Sequence, residues 1–535
     1  MTLNQTYRIA VLALIGAFTL PALIPAWAQK SGGTLRVSNS ANPSSLSIHE
    51  EVAVGTTQSV MGVFNNLVMF DPDKVRNGDD SIIPDLALSW SWDTSGTKLT
   101  LRLRNGVTWH DGRPFTARDV QCTWHRLIGK EAGYFRKNPR RIWYENLKEV
   151  TVEGDSEATF HLGRPQPSLL QMLASGLSPV YPCHVAGKDM RTHPIGTGPF
   201  KFVEFKSNEL IRLVRNHNYW KPGRPHLDAV ETRVIPNRAT RMLALVGGDI
   251  DVTPAADITV PLMKDLASQA PNIVCQLRPT NVSSQVLVNT TRPPFDRLDL
   301  RRALMLGLDR QGFIDTLSQG QASISGAMQA LPEGLWGMPK EVLEKLPGYG
   351  GTFAERQAEA RSIMARLGYG PVNRLKVKVS TRDFASYKDN AVILSDQLNK
   401  VYFEAEIEIV ESTVWFGRAA RGDFAVAFNV TSSGIDDPDV TLVENYSCKS
   451  EINFTKYCNP VVDRLLGEQS VERDRAKRRE IVWAIERVLA EDVARPIILH
   501  GRTAQCWQPS VKGLIRHDNS IQNNWRLEQV WLDRR

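Results

Sequence analysis

The sequence predicts a mixed α/β protein built as more than one lobe, and three observations carry that expectation. The chain has 535 residues, well beyond the roughly 250–300 that one hydrophobic core serves. Alternating runs that read as strands and amphipathic runs that read as helices are interspersed along its whole length. No repeat, low-complexity tract or linker separates them, which lobes assembled from non-contiguous segments would explain.

In order along the chain, an export signal comes first. Arg8 is the only charged side chain before residue 29, and it precedes an apolar stretch, Ile9 to Ile24, that closes on Ala26-Trp27-Ala28. A positive head, a short apolar core and a small-x-small ending define a signal peptide over 1–28, with cleavage expected after Ala28. The core is broken by Pro21 and falls short of the roughly 20 residues a bilayer span needs. Neither a following Cys nor a twin arginine is present, so an unanchored chain exported unfolded is expected. The mature chain is then expected in the periplasm, soluble.

Thr34 to Ser38 reads as the first strand. Leu99, Leu101 and Leu103 alternate with polar residues in another, which ends at the turn Asn105-Gly106. Thr116 to Leu127 reads as a helix, with Thr116 as N-cap and Asp119 completing a capping-box-like pair. Leu375 to Ser380 and Ala405 to Val410 alternate as strands, and Asn390 to Lys400 reads as the helix between them. Near the end Ile481, Ile485, Val488 and Leu489 share one helix face.

The net charge is +7, a mild excess for this length. Its local concentrations, Arg136-Lys137 with Arg140-Arg141, and Arg475 with Lys477-Arg478-Arg479, lack the interleaved aromatics of a nucleic-acid surface. The second follows Glu472-Arg473-Asp474 and reads as a solvated, alternating-sign helix face. No nucleic-acid partner is expected. The six cysteines form no CxxC and no zinc spacing. In an oxidising compartment some should pair. Cys448 and Cys458 bracket a polar loop and are the favoured pair, while Cys122, Cys183, Cys275 and Cys506 leave three pairings open.

Several blocks then read together: Asp85-Leu86-Ala87-Leu88-Ser89-Trp90, Asn105-Gly106-Val107-Thr108-Trp109-His110-Asp111-Gly112, Ile195-Gly196-Thr197-Gly198-Pro199-Phe200, Gly248-Asp249-Ile250-Asp251, and Pro293-Pro294-Phe295-Asp296 followed by Arg301-Arg302-Ala303-Leu304. In this order they resemble the extracellular solute-binding proteins of the dipeptide, oligopeptide and nickel type that serve ABC transporters, over essentially the whole mature chain. The resemblance implies an α/β, two-lobed, hinged periplasmic binding protein of type II-like architecture. Lobe I would hold 29–277 and 500–535, with an extra subdomain near 76–190, and lobe II would hold 278–499. It implies a monomer that captures a peptide or peptide-like solute and delivers it to permease subunits in the inner membrane, without a cofactor. A non-peptide solute such as an opine, a modified sugar or a metal chelate is the alternative, and a periplasmic chaperone or signalling partner is the alternative of another class. Gly-x-Ser-x-Gly, HExxH and a P-loop are absent, and Trp109-His110-Asp111-Gly112 reads as a turn, so no enzyme activity is expected.

The resemblance also nominates site residues. Peptide-binding relatives place an aspartate four residues before a Pro that matches Pro438, to pair with the ligand's α-amino group. Gly434 stands there instead, leaving Asp436 or Asp437 as substitutes. Trp415 matches an aromatic residue of the cleft, and Arg382 lies near an arginine that takes a ligand carboxylate. Tyr134, Arg140 and Trp143 fall in the subdomain segment that approaches the cleft, where Arg140 with Trp143 resembles the nickel-binding members. Val52, Val54 and Thr56 would form an apolar wall.

Overall fold

The computed structural model describes residues 29–254 and 258–534; the expected leader over 1–28 lies outside the described residues. A four-stranded sheet holds, in spatial order, Thr34–Asn39, Ala229–Val234, Leu210–Arg215 and Phe200–Lys206. The first pair is parallel and the others antiparallel. A five-stranded sheet holds Phe403–Val410, Leu375–Arg382, Val426–Ser432, Val274–Val288 and Ile497–Trp507. These sheets belong to the two lobes. An antiparallel sheet of Ala87–Trp92, Lys98–Leu103, Glu157–Leu162 and Leu147–Glu153 forms a subdomain beside the first.

Alternation sets the subdomain's inner face. Leu99, Leu101 and Leu103 are buried from one strand, and Ala158, Phe160 and Leu162 from its neighbour. The helix Ala117–Leu127 covers them, with Trp124 edge-on to Phe160 at 5.0 Å. The Thr116 N–H donates to the Asp119 carboxylate at 3.0 Å, as the capping pattern predicts. Gly196 and Gly198 run hard against another chain segment: a Cβ on either would lie within 3 Å of the Val63 backbone. The two glycines therefore mark a close backbone crossing.

Two long strands join the lobes. Val274–Val288 pairs with Ile497–Trp507 over nearly its whole length, but with Val426–Ser432 only from Val282 onward. The far end of the strand pair bridges to the other lobe through Val252 with Trp507 and Ile258 with Ala504. The expected lobe boundaries, 277/278 and 499/500, fall inside these strands. Their register shifts between Pro279 and Ser283, where proline offers no N–H to the ladder. Cys275 and Cys506 stand directly opposite and are bonded; Cys122–Cys183 and Cys448–Cys458 are the other two disulfides. The chain's last stretch returns to the first lobe, where Arg526 pairs with buried Asp85 at 2.7 Å and donates to Asn66 at 2.9 Å.

Three expectations change. The helix expected from Asn390 begins at Ala385. The strand expected to stop at Ser380 runs on to Arg382, because Arg382 still pairs with Val410. The basic run at 475–479 is not simply a solvated face. Asp474 caps the helix Arg475–Glu491, and one turn in, Arg478 is buried against Asp437. Periodicity placed the apolar residues of that helix correctly, with Ile485 and Leu489 buried, but could not identify a buried arginine with a partner distant in sequence.

The same helix carries a buried acid. One Glu486 carboxyl oxygen accepts the Met328 N–H at 2.6 Å, and the other is buried without a partner. Burial pushes the group up to about 8 from its ordinary 4.5. The folded state thus favours the neutral acid, and that contribution is complete below pH 4.5 and lost as pH rises through 8. Glu486→Gln should therefore flatten the decline in melting temperature between pH 5 and pH 8, matching the parent at the acid end and exceeding it at the alkaline end. Thermal unfolding across that range checks this.

Candidate functional site

A cavity of about 260 Å³ lies between the lobes. One wall is the loop after the first strand, Asn39 to Pro43, with Val52 to Gly55 and Arg140. The other is the five-stranded sheet, through Ser284 and Asn429 to Ser432, together with Arg382, Phe384, Tyr387 and Phe416. The loop closed by Cys448–Cys458 contributes Ile452 and Phe454. Asn453 stiffens it, its amide donating to the carbonyls of Ser447 and Tyr457.

Arg382, at the end of its strand, faces the cavity among aromatic rings. Its guanidinium carbon is 5.4 Å from the Phe416 centroid, 5.5 Å from Phe384 and 5.8 Å from Tyr387. Its Nε is buried without a hydrogen-bond partner, and among the described residues no carboxylate pairs with it. Ring faces attract a cation and hold its plane, and the Tyr387 hydroxyl lies within reach of the same guanidinium.

Trp415 is placed differently from the expectation. On the helix Ser412–Arg421 it shares the buried face with Ser412 and Ala419. It packs with Leu287, Val410 and Ala427 and donates to Asn429 at 3.3 Å. It stands behind the cavity wall, and Phe416 is the aromatic residue that reaches the cavity. Helical spacing explains this, because successive residues point about 100° apart.

Gly434 lines the cavity, and its missing side chain is a packing requirement. A Cβ there would stand 2.7 Å from Ser175 Oγ, 2.8 Å from Leu177 and 3.3 Å from the Trp143 ring. Trp143, expected in the cleft, instead closes the seam between subdomain and second lobe, donating its indole N–H to Glu444. Burial raises the Glu444 carboxyl, against the pull of Arg140 and of that hydrogen bond. Arg140 is buried, donates to the Glu51 carbonyl at 2.7 Å and has an unpartnered Nε. Arg495, drawn down to about 10 by burial, holds Asn445 at 2.6 Å.

The proposed substitutes for a carboxylate at 434 do not reach the cavity. Asp437 caps the helix Pro438–Tyr446 and binds Arg478 through both oxygens, at 2.6 and 2.9 Å. Burial lowers Arg478, but Asp437 and Asp439 outweigh it and hold the guanidinium above its usual value. Asp439 accepts from Ser168 and Gln469. Asp436 is buried beside a separate cavity of about 20 Å³, and burial pushes it up to about 7. Tyr134 lies away from the cavity, its hydroxyl on the Val185 carbonyl and its ring under Arg126 at 3.8 Å. Val52 and Val54 line the wall as expected, whereas Thr56 turns to the Ser45 carbonyl. His110 contacts Gly198, not Asp111. Among the described residues no group of three or more His, Cys, Asp or Glu could hold a metal ion.

A two-lobed α/β clam enclosing a mixed polar and aromatic cavity is the architecture of a periplasmic-type binding protein. Residues 81–453 match the sequence profile of the bacterial extracellular solute-binding proteins, family 5, and the chain belongs to that family. It is 24% identical to the probable di/tripeptide-binding protein 5 of Pseudomonas aeruginosa, covering 94% of this chain and 96% of the relative. It is also 26% identical to a dipeptide-binding protein of the same species, covering 84% and 86%. Among solved structures, the DppA protein of Helicobacter pylori in complex with the peptide STSA superposes with a TM-score of 0.83 at 23% identity, over 94% of this chain and 99% of that one. AgaA of A. tumefacien R10 in complex with agropinic acid superposes at 0.82 and 21% identity, with 94% and 99% coverage.

The two neighbouring aromatics should separate by experiment. Phe416→Ala should weaken solute binding about tenfold while leaving the melting temperature nearly unchanged, since it removes one cavity contact. Trp415→Ala should cost about 3–5 kcal/mol of stability by opening a hole in the core. Urea unfolding and calorimetric titration with the co-purified solute distinguish the two.

Proposed function

We propose that this chain is the substrate-binding component of an ABC importer, capturing a peptide or peptide-like organic solute between its lobes and delivering it to permease subunits. The observation that carries this reading is the cavity between the lobes, to which both contribute. A solute touching both walls stabilises the closed form by its differential affinity for that form. The two long strands, irregular between Pro279 and Ser283, would act as the hinge. Residues 29–277 with 500–535 would make up lobe I and 278–499 lobe II, the subdomain near 76–190 moving with lobe I.

A periplasmic location agrees with the pairing of all six cysteines, which an oxidising compartment favours. The relatives named for dipeptides and tripeptides support a solute of that size, and a wall rich in amide side chains such as Asn39, Asn390 and Asn429 suits peptide carbonyls or hydroxyls. An enclosed cavity with a few oriented polar groups is what a small ligand needs and what a chaperone surface lacks.

Two measurements test the reading. Protein purified without denaturation should release a small molecule on unfolding, seen by mass spectrometry, and restoring that molecule should raise the melting temperature. If no small molecule co-purifies and no solute pool shifts the ligand-free protein, the receptor reading is wrong. Gly434→Ala, which pushes Trp143 and Ser175 away from the second lobe, should weaken binding by about tenfold or more by disfavouring closure. Small-angle scattering should find the solute-saturated variant more open than the parent.

A further inference from the structure

The small cavity of about 20 Å³ beside Asp436 touches the solute cavity only through Thr431 and Asn445, which line both. Both crossing strands reach it, through Asn281, Ser283 and Gln285 on one and His500 on the other. Asp436 closes it from the loop before the helix Pro438–Tyr446. Four of its lining residues each hold a buried side-chain oxygen without a hydrogen-bond partner: Asn281 Oδ1, Gln285 Oε1, Gln329 Oε1 and Asp436 Oδ2. The Asn281 amide is oriented by its Nδ2, which donates to the Ser433 carbonyl at 3.0 Å and leaves the oxygen free. Gln285 likewise spends its Nε2 on the Ser283 hydroxyl at 3.0 Å.

These four atoms are all acceptors, and one belongs to an acid. The Leu335 N–H approaches Asp436, Arg76 and Arg475 act on it only through space, and Asp437 opposes them. The nearby cations are engaged elsewhere: Arg495 holds Asn445 and Thr431, and Arg478 holds Asp437. Burial pushes His500 down to about 3, so it brings no positive charge to the wall. A space of this size takes about one water-sized occupant. One water donates two hydrogens, which leaves two of the four oxygens unsatisfied. A cation is met by all four and supplies the charge that buried Asp436 lacks.

We propose that this cavity is an alkali-cation site, with Asp436, Asn281, Gln285 and Gln329 as its oxygen ligands. Hard oxygen donors select such ions over transition metals. A single carboxylate among neutral oxygens balances one positive charge, whereas tight calcium sites gather several charged ligands. The ion enters from the adjoining surface crevice, which shares Gln329 and His500 with the cavity. Bound there, it ties the two crossing strands to the loop that carries Gly434 and stiffens the hinge end of the second lobe. The site is independent of which solute the larger cavity takes.

Thermal unfolding at pH 8 and fixed ionic strength, in choline, sodium, potassium or calcium chloride, tests the site. Sodium or potassium should raise the melting temperature by about 2 °C or more over choline, with the concentration dependence of one saturable site. Asp436→Asn should erase that difference, because it removes the charge the ion answers. Gln329→Ala, on the crevice side, should keep the difference but raise the half-saturating concentration. Equal melting temperatures in the four salts mean water only and overturn the proposal. So does an alkali effect that survives in Asp436→Asn, and stabilisation by calcium alone overturns the alkali assignment. If Asp436→Asn does not fold, anomalous diffraction from parent crystals soaked in thallium(I) acetate decides instead: a peak in the cavity supports the site, and none overturns it.

Discussion

The crossing of two strands from one lobe to the other is the constraint from which the rest of the structure follows. Val274–Val288 and Ile497–Trp507 are hydrogen-bonded to each other on both sides of the crossing and bonded by Cys275–Cys506 at one end. In the proposed receptor, bending would fall at the irregular stretch between Pro279 and Ser283. A hinge that bends but does not shear lets a small number of facing residues meet in register each time. That is why the seam beyond the cavity can be as specific as Trp143 on Glu444 and Ser168 on Asp439.

The seam and the cavity divide the polar groups of the helix Pro438–Tyr446 between them. Its first turn is structural: Asp437 and Asp439 hold Arg478, Ser168 and Gln469, which fixes the helix against the rest of its lobe. Its last turn faces the solute side, with Glu444 and Asn445 at the cavity wall. The acids nearest the position where a ligand amine would be expected are thus the ones least able to serve it. Each is buried, and most of their oxygens are committed to protein partners.

Much of the architecture was legible in the sequence because it depends on local pattern. The alternation of Leu99, Leu101 and Leu103, the Thr116 cap and the face formed by Ile485 and Leu489 are all set within a few residues. The order of the blocks gave the two-lobed class. What could not be read was anything decided across long sequence distance: Arg478 finding Asp437, Trp143 filling the space opposite Gly434, and the pairings Cys122–Cys183 and Cys275–Cys506. At the site, Arg382 and Gly434 were named and do line the cavity. Trp415 missed by one residue, although the helix period held the correction: Ser412, Trp415 and Ala419 fall on one face, and Phe416 does not.

Gly434 acts on the cavity in two ways at once. As an absence, it removes a carboxylate from the wall of the cavity. As a contact, it lets the subdomain's Trp143 approach until the indole reaches one carboxyl oxygen of Glu444. An acidic side chain at 434 would change both at once, whereas any side chain there would press on Ser175, Leu177 and Trp143. The glycine therefore sets how closely the subdomain and the second lobe meet at the cavity's edge.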